Sequence, residues 1–326
     1  MNARPLLTAL FALAAAAPAE AQFFKDKQLE AARGPAELKR LVRERLASAP
    51  NDPQTVLAAA VVALDADDAA PRKAAIARAE ACVKALPQAA ECHFAQGALL
   101  GVQAMSEGML AAARSMGPVR DALTTALTLE PQWYPARSAL VLYYLELPGL
   151  LGGSTSKAGE LAAGAASPEQ AKALQARVAL KAGKADAAVA ALLPLAATTD
   201  TALADDVRDW LEQAGHQLVN DGAAAKALPA FERLARDRAA EAGGVYGLAR
   251  VRHEQGAFED AARLYEKAAT LERAERYPID YRRGLALQKL GRNDAAKQAY
   301  ERFVAAGKGR KSQIEDAKKR LSELST

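Results

Sequence analysis

Four glycines in the C-terminal half, Gly183, Gly222, Gly256 and Gly291, stand 39, 34 and 35 residues apart. A period near 34 in an alanine-rich, strand-poor chain predicts stacked helical hairpins, because one such pair is too small to bury its own apolar face. Each glycine falls where a first helix has to stop, and glycine takes the left-handed conformation there at little cost. Five residues further on comes a small residue every time: Ala188, Ala227, Ala261 and Ala296. These let the second helix lie close to the first. Gly215 and Gly284, each seven residues before its terminal glycine, extend the pattern of small contacts. An alanine-rich bundle with glycines spaced by chance is the alternative, and it leaves the regular rungs unexplained.

Composition agrees with close helix packing, since 51% of the 326 residues are apolar but only 5% are aromatic. The charge is nearly balanced, 43 basic against 39 acidic residues with a net +4, and offers no reason to expect a nucleic-acid partner. Met1 to Arg4 followed by an apolar run from Leu6 to Ala17 and an Ala-x-Ala site at 17–19 or 19–21 reads as an export leader. The run is too short for an ordinary membrane span. Export to a bacterial periplasm is therefore expected, with residues 1–21 removed and 22–35 a loosely held lead-in.

The segment Tyr246 to Leu271 carries Leu248, Ala249, Gly256, Phe258, Ala261, Tyr265 and Ala268, and the next unit carries Tyr281, Gly284, Gly291, Ala296 and Tyr300. These spacings resemble the tetratricopeptide repeat (TPR) family. The resemblance implies an all-α, right-handed superhelical solenoid of about seven hairpins. Irregular repeats would occupy 36–167, regular ones 168–310, and a capping helix 311–326. Irregularity has two sources upstream: a Met-rich insertion from Met105 to Pro118, taken up by longer helices or a loop, and the turn around Pro148 to Ser154. That turn is similar to one in the T component of TRAP-type solute transporters. It could instead cradle a phosphate, although no Gly-x-x-x-x-Gly-Lys-Ser/Thr pattern accompanies it.

On the repeat pattern Cys82 closes one unit and Cys92 opens the next, both at positions usually held by alanine. In an exported chain this implies a disulfide, with two buried thiols as the alternative. The resemblance also implies that first helices line a concave partner-binding groove. Carried over unit by unit, its lining is Gln170, Arg177, Glu212, His216, Tyr246, Arg250, His253, Tyr281 and Gln288. The N-terminal units place Phe94, Ala98, Leu142 and Leu145 there, an apolar stretch. No His-x-x-x-His, Cys-x-x-Cys or Gly-x-Ser-x-Gly string occurs, so neither a metal, a cofactor nor catalysis is expected. The expected function is a scaffold that binds a protein or peptide; the alternative is an accessory to solute transport. Oligomeric state is left open.

Overall fold

A computed structural model describes residues 23–32, 35–66, 69–107, 109–198 and 200–324; the expected leader lies outside them. Among the described residues the regular structure is helical. Two helices lead, α1 (Lys27–Glu30) and α2 (Pro35–Ser48). Seven pairs follow: α3 (Pro53–Asp65) with α4 (Ala69–Ala85), α5 (Ala90–Glu107) with α6 (Met109–Leu129), and α7 (Tyr134–Glu146) with α8 (Thr155–Ala163). Next come α9 (Pro168–Lys181) with α10 (Ala185–Leu192), and α11 (Thr201–Asn220) with α12 (Ala224–Asp237). The last pairs are α13 (Ala242–Glu254) with α14 (Phe258–Ala269) and α15 (Ile279–Lys289) with α16 (Asn293–Ala306), closed by α17 (Lys311–Glu323). The chain divides into two compact units, one reaching Ala182 and adding Ala197–Asp209, the other made of Gly183–Ala196 and the chain from Trp210 onward.

In the second unit the glycine ladder does what its spacing predicts. Gly183, Gly222, Gly256 and Gly291 all have φ between 70° and 79°. After the last three, the next residue's amide reaches five residues back: Ala223 to the Leu218 carbonyl at 2.8 Å, Ala257 to Arg252 at 2.9 Å and Arg292 to Leu287 at 3.0 Å. Each helix end thus closes on its own backbone. Ala188, Ala227, Ala261 and Ala296 are wholly buried. A methyl on Gly215 would stand 2.7 Å from the Phe231 ring, and one on Gly284 2.5 Å from Tyr300, so an aromatic of the second helix fills the space each glycine leaves. The capping helix buries Ala317 and lays Ile314, Leu321 and Leu324 on the same core, while its other faces stay charged.

The first unit departs from that regularity in three places. The Met-rich insertion is helical, lengthening α5 and α6 to 18 and 21 residues, with Met116 buried and its carbonyl accepting the Tyr143 hydroxyl at 2.9 Å. The Pro148–Ser154 turn contains a short 3₁₀ segment, Gly149–Leu151, and Gly152 at φ 95°. Its amides are already used: Gly152 donates to Gly149, Gly153 to Pro148 and Ser154 to Tyr144. They cannot also cradle a phosphate, so that reading is withdrawn. Cys82 and Cys92 are disulfide-bonded, with Cα atoms 5.6 Å apart, and staple α4 to α5.

Within residues 23–32, Phe23, Phe24 and Leu29 are buried while Lys25, Lys27, Gln28 and Ala31 are exposed. Phe23 is only 3% exposed, its ring 5.9 Å from Phe94 and 6.5 Å from Trp133, and Leu29 is buried as well. Its two aromatics anchor this stretch of the expected lead-in. Among the described residues no helix is long and apolar enough to cross a membrane.

Candidate functional site

First helices of successive repeats present matching positions. Counting back from the terminal glycine, the tenth residue is Glu212, Tyr246 or Tyr281, and the sixth is Arg177, His216 or Arg250. Ten and six differ by four, so in one helix the pair shares a face. In the second unit these faces join across repeats. Arg250 Nη2 donates to Asn220 Oδ1 at 2.8 Å and Nη1 to His216 Nδ1 at 3.3 Å. His216 Nε2 lies 3.5 Å from Glu212 Oε1, which accepts the Tyr277 hydroxyl at 2.6 Å. The Tyr246 ring stacks on Tyr277 at 4.7 Å and meets the His216 ring edge-on at 5.6 Å.

Burial sets the electrostatics of this surface. Arg250 is 7% exposed, and among the described residues its hydrogen-bond partners include no carboxylate; burial and then the nearby Arg282 charge push its pKa down. His253 is pushed down too, first by burial and then by Arg282, Lys289 and Arg250, with only exposed Glu254 pulling the other way. Burial would raise Glu212, but His216, Tyr277 and Arg238 hold its carboxyl below the usual range. Among the described residues, Nε of Arg250 and of Arg282 and Nδ1 of His253 make no hydrogen bond. A buried donor left this way costs free energy that a ligand acceptor recovers.

The other expected residues are placed differently. Tyr281 donates to Asp316 at 2.9 Å, and Gln288 Oε1 accepts from Tyr300 at 3.0 Å and Arg320 at 2.9 Å, so both tie α15 to its neighbours and the cap. Gln170 and Arg177 belong to the first unit. Gln170 Nε2 donates to Asp200 Oδ2 at 3.2 Å, and Arg177 is ion-paired with Glu146, which also holds Lys181 at 2.8 Å. Close by, the buried Asp206 carboxylate accepts from Ser138 at 2.6 Å and Tyr134 at 2.8 Å. Burial pushes Asp206 up to about 7 despite those donors, with the Asp205 charge adding to the rise. Phe94, Ala98, Leu142 and Leu145, expected on an apolar half of the groove, are all buried in the first unit's core. As packed here they form no open wall, and Phe94 faces the Phe23 ring.

Four participants escaped the sequence reading. Tyr277 lies in a junction rather than a first helix, and Arg282 sits beside the expected Tyr281 but one position off the pattern. Asp206 and Asn220 belong to α11, a 20-residue helix longer than a 34-residue frame provides for. Tyrosines flanking a repeat boundary were the available signal for Tyr277.

The fold is that of TPR-type helical-repeat proteins. Human IFIT1, solved as a dimer with m7Gppp-AAAA, superimposes with a TM-score of 0.55 at 14% identity over 89% of this chain and 67% of its own. Its complex with PPP-AAAA gives 0.54 at 15% identity, over 89% and 69%. Cut9, from the APC/C Cut9–Hcn1 hetero-tetramer, gives 0.50 at 14% identity, over 88% of this chain and 52% of Cut9. No family model matches, and no curated protein matches by sequence.

Proposed function

We propose that this chain is an exported, non-catalytic scaffold that holds a protein or peptide partner against the first-helix wall of its second unit. The observation that carries the reading is Arg250, buried in that wall with no carboxylate partner and a spare donor among the described residues, flanked by Arg282 and His253. Burying a guanidinium without a carboxylate is costly, and a partner's acceptor groups offset that cost. Tyr277, half-buried and stacked on the buried Tyr246 ring, supplies a stiff apolar surface next to it, suited to an extended segment or a partner helix. One TPR-type neighbour points the same way, Cut9, which is seen with Hcn1, whereas IFIT1 is seen with m7Gppp-AAAA.

Photo-crosslinking residues placed at His253 and Gln288, with controls at the exposed second-helix positions Arg263 and Glu301, test this in cells. Adducts confined to the first-helix positions are expected, and equal labelling of both faces overturns the reading. A solute-binding protein as the adduct favours the transport-accessory alternative, to which the Pro148–Ser154 turn gave a local likeness. RNA as the adduct replaces the protein partner, as in the IFIT1 complexes. N-terminal sequencing tests export: a mature start at Glu20 or Gln22 is expected, and retention of Met1 in all fractions counts against it.

A further inference from the structure

In the first unit, chain is already bound to the starts of first helices, and that chain is the protein's own. Phe23 to Glu30 crosses residues from three successive repeats. Phe23 fills a socket made by Phe94 and Trp133, whose rings are 5.0 Å apart. The amides of Lys25 and Asp26 both donate to Gln54 Oε1, at 2.9 and 3.3 Å. Lys25 Nζ reaches Glu91 at 2.8 Å and pairs with Glu130 as well. Glu91 is itself buried, and its other side-chain partner is the Gln54 amide, 2.9 Å away. Lys25 therefore supplies the counter-charge that this carboxylate needs.

The attachment is of a kind that one peptide can exchange for another. Among the described residues, hydrogen bonds from the segment's backbone go to itself or to the Gln54 side chain, with no main-chain ladder to the repeats. Lys25 is half exposed. α1 is a single turn, capped by Asp26, whose carboxylate accepts from Gln28 and Leu29 and pairs with Arg45 at 2.6 Å. Terminal segments held by side-chain contacts open locally at far lower cost than packed helices.

We infer that Gln54, Glu91, Phe94, Glu130 and Trp133 form a second binding site, occupied in cis by Phe23–Glu30. Its partner is a protein presenting an extended segment with an aromatic pair followed by a basic residue. The socket takes the aromatic ring, Glu91 and Glu130 take the cation, and Gln54 reads the backbone. Binding displaces the resident segment, so the unoccupied protein is self-blocked at this site. The inference shares with the proposed function the idea that first helices present the binding surface, but uses a different unit and different residues.

The test uses the full chain and a fluorescein-labelled peptide of sequence Phe23–Glu30, followed by anisotropy. Phe23→Ala with Lys25→Glu weakens the resident segment, and the peptide is expected to bind this variant at least tenfold more tightly than the unaltered chain. Adding Glu91→Gln should reverse most of that gain. Lys25→Glu alone, at a half-exposed position, provides the same comparison should the double variant fold poorly. Hydrogen exchange on the unaltered chain should show the amides of residues 24–29 opening well before those of α5. Equal peptide affinity for all variants overturns the inference, as does exchange of residues 24–29 only in step with α5. Exchange of the segment between copies, seen as a concentration-dependent dimer, overturns the assigned partner. Arg250→Ala should leave peptide binding unchanged, so a failure here is separable from a failure of the second-unit wall.

Discussion

Arg177 and Arg250 stand at the same repeat position, six residues before a terminal glycine, and both are almost fully buried. Arg177 is answered by Glu146 within the first unit, whereas Arg250 meets Asn220 and His216 in the second. Position alone therefore does not make a binding residue. What matters is whether the fold has already neutralised the charge. Nε of both lacks a hydrogen bond among the described residues, so the difference lies in charge: the first is a structural ion pair, and the second is the one for which we propose a partner's acceptor.

The largest effect that separates them is on stability. Glu146→Gln leaves Arg177 buried without its carboxylate and should lower the first unit's stability by about 3 kcal/mol, read by urea denaturation. Arg250→Met orphans no carboxylate and should change stability by less than about 1 kcal/mol. Equal losses would erase the distinction between the two arginines.

Protonation sharpens the same contrast. Asp206 is raised from its ordinary 3.8 to about 7, so the native state binds its proton more tightly than the unfolded chain. Its contribution is fully present below the unfolded value near 4 and is lost as pH rises through about 7. Stability of the first unit should rise by about 3 kcal/mol between pH 7.5 and 4.5 from this group, and Asp206→Asn should flatten that slope. A slope unchanged in Asp206→Asn would show that other groups carry it. Reducing Cys82–Cys92 should cost the first unit about 3 kcal/mol or less and leave the second untouched, with two thiols titrating only after reduction. Smallest of all, Gly256→Ala has open space for its methyl but the wrong backbone conformation, and should cost the second unit about 1 kcal/mol by thermal melt.

The two units also differ in how far the sequence disclosed them. Helix ends and small contacts of the second unit depend on residues a few positions apart, so Gly222, Gly256 and their following alanines could be read directly. That Tyr246 and Arg250 share one helix face was legible for the same reason. The first unit is governed by meetings between distant stretches: Phe23 with Trp133, Lys25 with Glu130, Tyr134 with Asp206. No period records those. Leu142 and Leu145 were assigned to a groove by register alone, although tertiary burial had other uses for large apolar side chains.

The self-closed glycine turns carry a mechanical consequence. A helix end that satisfies its own carbonyls does not need the next pair in place to remain a turn, so pairs of the second unit can come away singly under tension. Pulled from its C-terminal end, this unit should lengthen in steps of about one repeat, roughly 110–120 Å of extended chain each, behaving as a chain of catches that let go in turn.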